Sequence, residues 1–183
     1  MQKRQVLIAG FFGLMVVGLS IFAADQVQAA DSNGPYYATP SWDQKLPAAT
    51  RFVVLTDWND EAVLDRETGL VWERSPGTFM GDVIVAKVAC ISRTTGNRKG
   101  WRLPSVHELA SLMDPSVAVP GPTLPPGHPF TNVQDTYWSI TTLHNSPDDA
   151  WLVNFLNADV FANSRTVHSH FWCVRGGMSA DQY

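Results

Sequence analysis

"RKGWRLPSVHELASLM", residues 98–113, carries the sharpest local instruction in the chain. Ser105 and Glu108 stand three residues apart at the head of an apolar run. The serine hydroxyl accepts from the Glu108 amide and the Glu108 carboxylate accepts from the Ser105 amide, a capping box that marks a helix start. Val106, Leu109, Leu112 and Met113 then trace one buried face, and Pro115 stops the helix after about two and a half turns. Pro104, just ahead of the cap, biases Leu103 toward extended angles. The Trp101-Arg102-Leu103-Pro104 run therefore reads as a stiff entry that drives Trp101 and Leu103 into a core and sets the helix direction.

Working outward, the preceding run "GDVIVAKVACISRTTGNRKG" (81–100) is open between two readings. Its β-branched residues suit a strand, whereas its length and the stop at Gly96 suit a helix. Further upstream, "RFVVLTD" (51–57) predicts a strand and "AVLDRETGLVWE" (62–73) a hairpin. In that hairpin Asp65 opens the turn and Gly69 closes it at positive φ. Downstream, "PSVAVPGPTLPPGHP" (115–129) holds six prolines and predicts one long irregular loop, stiffened because each proline fixes φ. Strands are expected at "TYWSITT" (136–142), "AWLVNFL" (150–156) and, after a turn at Asn157 to Asp159, "VFANSRTVHSHFWCVRG" (160–176). In the last, Val167, Ser169, Phe171 and Cys173 share one face, and His168, His170, Trp172 and Val174 the other.

The ends bound location. Lys3 and Arg4, an apolar run from Val6 to Ala24, and small residues at Val27 and Ala29 have the layout of a signal peptide over residues 1–29. The rival reading is a retained membrane anchor, since the run approaches bilayer length. Export predicts a periplasmic or cell-surface protein with no membrane attachment after cleavage. Residues 30–50 read as an extended leader, 51–178 as one domain, and 179–183 as a tail. Cleavage after Ala29 leaves 183 − 29 = 154 residues and a net charge of (13 − 2) − (17 − 1) = −5. That balance argues against a general nucleic-acid or anionic-membrane binder. All seven tryptophans lie beyond the signal segment, which predicts an aromatic core. The two cysteines, Cys90 and Cys173, read in an oxidising compartment as one disulfide. A reactive thiol pair or metal ligands are the competing readings, and no C-x-x-C or nearby histidine spacing supports them.

Six segments in order, "LDRETGLVWE", Cys90, "GWRLPSVHELASLMD", "HPFTNVQDTYWSITT", "AWLVNF" and "FWCVRGG", together resemble a bacterial family. It is the one typified by the C-terminal domain of the Legionella collagen-like protein, a domain of unknown function. The resemblance implies an α+β, C-type-lectin-like fold: two helices flanking small antiparallel sheets, with the ends of the domain brought together. It implies that the segment before Cys90 is helical and that Cys90 pairs with Cys173, tying this helix to the last strand. It makes Trp101, Arg102, Leu103, Pro104, Ser105, Glu108, Trp138 and Trp172 motif residues of structural weight. The chain departs from the family in carrying Phe79 and a valine-rich run ahead of Cys90, and in lacking collagen repeats.

The namesake's link with adhesion and sulfated polysaccharides implies a basic surface. Arg93, Arg98 and Lys99 are the candidate anion- or glycan-binding cluster, with Arg102 close behind. Arg102 and Arg175 themselves read as salt-bridging residues. His168 and His170 alternate on one strand face but lack a third ligand, so no metal is expected. Asp148 and Asp149 are the weak calcium candidates; the Glu-Pro-Asn sugar-binding triplet of true C-type lectins is missing. No nucleophile–base pairing and no cofactor motif stands out. The expected function is a non-catalytic binding or adhesion-type module for a glycan or protein ligand. The alternative is an enzyme related to formylglycine-generating oxidases, which would use the cysteine pair. The sequence sets no oligomeric state.

Overall fold

The computed structural model describes residues 46–176. The segments read as signal peptide (1–29), most of the leader (30–45) and the tail (179–183) lie outside the described residues. In chain order come α1 (Ala48–Arg51), β1 (Phe52–Val54), β2 (Ala62–Asp65), β3 (Val71–Glu73), β4 (Met80–Gly81) and α2 (Val83–Ser92). There follow β5 (Trp101–Arg102), α3 (Val106–Ala110), β6 (Thr136–Leu143), β7 (Ser146–Asn154), β8 (Asp159–Ser164), β9 (Ser169–His170) and β10 (Val174–Arg175). The class is α+β.

Two five-stranded sheets, ordered β1-β2-β3-β10-β5 and β4-β9-β6-β7-β8, share the work. The first is antiparallel throughout, and the second carries one parallel pairing, Tyr137 with His170. The predicted hairpin is β2–β3: Asp65 accepts from the Glu67 amide and the Thr68 hydroxyl, and Gly69 closes the turn at φ 71°. The helix open between two readings is α2, and the resemblance was right about it. Asp82 caps it by accepting from the Val85 amide. The capping box at Ser105 and Glu108 is formed in full, though α3 is five residues long, shorter than the spacing predicts. Its last apolar positions, Leu112 and Met113, continue in turns whose amides bond to Leu109 and Ala110 carbonyls.

Buried residues fall into two clusters. One holds Phe52, Trp72, Leu109, Phe130, Tyr137, Phe155 and Trp172. The other holds Val83, Ala86, Cys90, Trp101, Trp138, Leu152, Phe171 and Cys173. The final stretch runs between them, so the predicted alternation is real: Phe171 and Cys173 enter one cluster, Trp172 and Val174 the other. Each chain face is therefore apolar for its own reason.

One long final strand, however, is not what forms. Residues 160–176 divide into β8, β9 and β10. A turn in which the Val167 amide donates to Ser164 ends β8. Beyond it, pairing passes from the second sheet at β9 to the first at β10, and residues 171–173 cross between. The proline-rich loop is irregular as predicted but not free. Thr123, Leu124 and Pro125 are buried, and the Gly121 and Thr123 amides donate to Leu156 and Phe155 carbonyls at the end of β7. Asp148 and Asp149, the weak calcium candidates, lie within β7.

Candidate functional site

The cation-bearing segment 93–99 follows α2 directly, and four contacts fix it. Gly96 adopts φ 64°, and a Cβ there would sit 2.8 Å from the Trp58 Cβ, so only glycine lets the loop press on that indole. The Gly96 amide donates to Glu61 Oε2 at 2.6 Å. The Trp101 indole N–H donates to the carbonyls of Thr95 and Arg98 at 3.2 and 3.0 Å. Arg175 Nε donates to the Lys99 carbonyl at 2.9 Å.

Around Trp58 the loop gathers charge. The guanidinium carbons of Arg98 and Arg175 each lie 5.3 Å from its ring centre. Trp101 meets the same indole edge-on at 6.4 Å. An indole face attracts cations, by about 0.5–1 kcal/mol at exposed sites. It thus holds together two guanidiniums that would otherwise repel. Lys99 is exposed beside them. Among the described residues no carboxylate lies within ion-pair distance of Arg98, Lys99 or Arg175.

Arg93, grouped with this cluster by sequence, faces elsewhere. Its Nε is 3.1 Å from Glu73 Oε1, and its guanidinium lies 5.6 Å from the Phe171 ring centre. The approach to Glu73 is electrostatic, without the alignment of a hydrogen bond. Glu73 is buried; its oxygens accept from the Thr95 hydroxyl at 3.0 Å and the Cys173 amide at 3.1 Å. Beside the pair opens a cleft of about 680 Å³, lined in part by Asp60, Glu61, Glu73, Arg93, Thr95 and Asn97. One face of the 93–99 segment thus looks onto mixed charge, and the other carries unpaired cations.

Burial pushes the Glu73 carboxyl above its ordinary value of 4.5, and Arg93, the Cys173 amide and the Thr95 hydroxyl offset this only in part. A raised folded value means that the group's contribution to stability is complete below pH 4.5 and is lost as pH rises through the folded value. Glu73→Gln removes that slope. Urea unfolding of both proteins from below pH 4.5 to neutrality should show the wild type losing ground to the variant as pH rises; parallel curves would contradict the assignment. Glu108 has the opposite sign. Burial acts to raise it, but the Arg102 fork and Ser105 hold it below the usual range.

The motif residues have structural work. Arg102 forms two hydrogen bonds to Glu108 and one to the Gly176 carbonyl. Trp101 and Leu103 enter the second cluster, and the buried Pro104 presents its carbonyl to the Ile140 amide at 2.8 Å. The Trp138 indole donates to the Gly81 carbonyl and that of Trp172 to the Glu73 carbonyl. Cys90 and Cys173 are bridged, with Cα atoms 5.3 Å apart. His168 is exposed, whereas His170 is half-buried with Nε2 4.0 Å from Asp135. Among the described residues no three potential ligands stand close enough to hold a metal.

Sequence reading missed Trp58 and the joining of Arg175 to Arg98. The signal for the first was present in "DWND" (57–60), a polar turn with one large aromatic in it. The second had no local signal, because 77 positions separate the two arginines (175 − 98). The Lcl C-terminal domain model matches residues 61–175, and the chain belongs to that family. No curated protein matches the chain.

Proposed function

We propose, from this family membership and the site's charge, that the protein is an exported, non-catalytic binding module of the periplasm or cell surface. It holds an anionic group of a glycan or protein ligand on Arg98, Lys99 and Arg175, and serves attachment rather than turnover. The carrying observation is two guanidiniums, Arg98 and Arg175, held against one indole, with the exposed Lys99 next in the chain, none of them within ion-pair distance of a described carboxylate, in a chain that is net acidic. We take the architecture to be C-type-lectin-like. Helices α2 and α3, two five-stranded sheets and a C-terminal segment inserted into both sheets support that reading. An enzyme of the formylglycine-generating kind would need Cys90 and Cys173 as reactive thiols, and their bridge supports the binding reading instead. Thiol titration of the unreduced protein should find no free cysteine.

The ligand reading is tested on immobilised heparin as the polyanion probe. Replacing Arg98, Lys99 and Arg175 by serine should weaken retention about tenfold, at ~0.5 kcal/mol per exposed ionic contact. Arg93→Gln should leave retention unchanged, because that side chain is engaged with Glu73. Equal loss in both proteins, or no retention of the wild type on heparin or a broader glycan array, would retire the cluster as the site.

A further inference from the structure

The two sheets end in four edge strands, and three of them are very short. β1 has three residues, while β5 and β4 have two each. Short edges offer too few free backbone groups to template another strand. β8 is different. It runs six residues, "DVFANS", without a lysine, a proline or a break in register against β7.

The register shows which of its backbone groups are free. The Arg165 amide donates to the Asp148 carbonyl. With Asp149 opposite Ser164 and no shift along the ladder, Asp159, Phe161 and Asn163 turn their N–H and C=O groups toward β7. Val160, Ala162 and Ser164 turn theirs outward. Ser164 is satisfied locally, its amide by Asn163 Oδ1 and its carbonyl by the Val167 amide. Among the described residues nothing pairs with the outward groups of Val160 and Ala162. Beside them, Val160 and Phe161 are 42% and 37% exposed.

We infer that this edge pairs with β8 of a second copy of the chain, antiparallel across a two-fold axis at Phe161. That register uses both free residues and calls on no group already bonded. Val160 exchanges two hydrogen bonds with Ala162 of the copy, and the symmetry mate repeats them. A two-fold centred on Ala162 instead would engage Ser164, whose groups are already taken. The chosen register sets Phe161 against its own copy at a non-hydrogen-bonded position, where side chains approach most closely and aromatic pairs are favourable. It places Asp159 opposite Asn163, so no like charges meet. The two second sheets become one ten-stranded sheet with an isologous seam. A seam of one strand per partner buries less than the roughly 800 Å² per partner typical of stable complexes, so the dimer is weak and reversible.

Sedimentation velocity on the purified protein across micromolar to millimolar concentrations should show a reversible monomer–dimer equilibrium. Phe161→Glu puts two carboxylates face to face and should weaken the dimer about tenfold. Ala162→Pro deletes an outward donor and should do the same if the variant folds. Phe161→Cys should give a reducible dimer at low concentration, whereas Asn163→Cys, which meets Asp159 of the copy, should not. A wild type that stays monomeric at the highest concentration overturns the proposal. So does association that survives Phe161→Glu, or equal cross-linking at positions 161 and 163.

Discussion

The double variant Cys90→Ala/Cys173→Ala should unfold with a free energy about 4.5 kcal/mol below that of the oxidised wild type. The bridge spans 83 positions and closes a loop of about 84 residues, whose restriction of the unfolded chain gives that figure. For a domain of this size it corresponds to a fall in Tm of about 10–20 °C. Both sulfurs lie fully buried in the second cluster with Val83, Ala86 and Phe171, so alanine also removes packing around them. The bridge is the direct link between α2 and the crossing segment 171–173. A drop of less than about 1 kcal/mol in urea unfolding would show that packing alone holds α2 in place.

A comparable loss is expected from Asp65→Ala. Asp65 is fully buried and forms two hydrogen bonds with Arg51, itself only 4% exposed. The same carboxylate receives the Glu67 amide and the Thr68 hydroxyl, so it organises the β2–β3 turn as well. Removing one member of a buried ion pair costs about 3–5 kcal/mol, because the other charge is left in a poor dielectric. The lower end, about 3 kcal/mol, applies here, since Glu67 at 2.9 Å and the Ser111 carbonyl still face the guanidinium. Arg51→Leu/Asp65→Leu leaves no stranded charge and should lie closer to the wild type than Asp65→Ala alone. If the double variant is the less stable, the pair contributes through its geometry rather than by mutual neutralisation.

Local chemistry was what the sequence displayed best. The capping box needs only two side chains three positions apart, and it forms as read. The alternation through Phe171, Trp172, Cys173 and Val174 was also legible, because each face needs its own apolar partner. What the alternation concealed was the crossing from one sheet to the other, which depends on which distant strands offer hydrogen bonds. Helix α2 gave no clear period because apolar residues occupy both its sides. Val83, Ala86 and Cys90 face inward, while Ile84, Val88 and Ile91 are more than half exposed. At the candidate site the cations of the 93–99 segment could be counted, but not aimed. Arg93 turns to Glu73, 20 positions upstream (93 − 73), and Arg175 takes its place beside Arg98. Such pairings are set by the assembled sheets and leave no mark on neighbouring residues.

Strand β10 lies between β3 and β5, and β9 lies between β4 and β6. Both sheets therefore wait for residues that follow all their other strands in the chain. A chain folding from its amino-terminal side has β3 paired with β2 alone, and α2 without its covalent tether, until the segment through Arg175 is in place. The local pairings β1-β2-β3 and β6-β7-β8 do not need that segment, but the contacts that join β10 to β3 span about a hundred residues and close slowly. A product truncated ahead of Ser169 would expose both apolar clusters together, which marks it for proteolysis rather than for a reduced form of function.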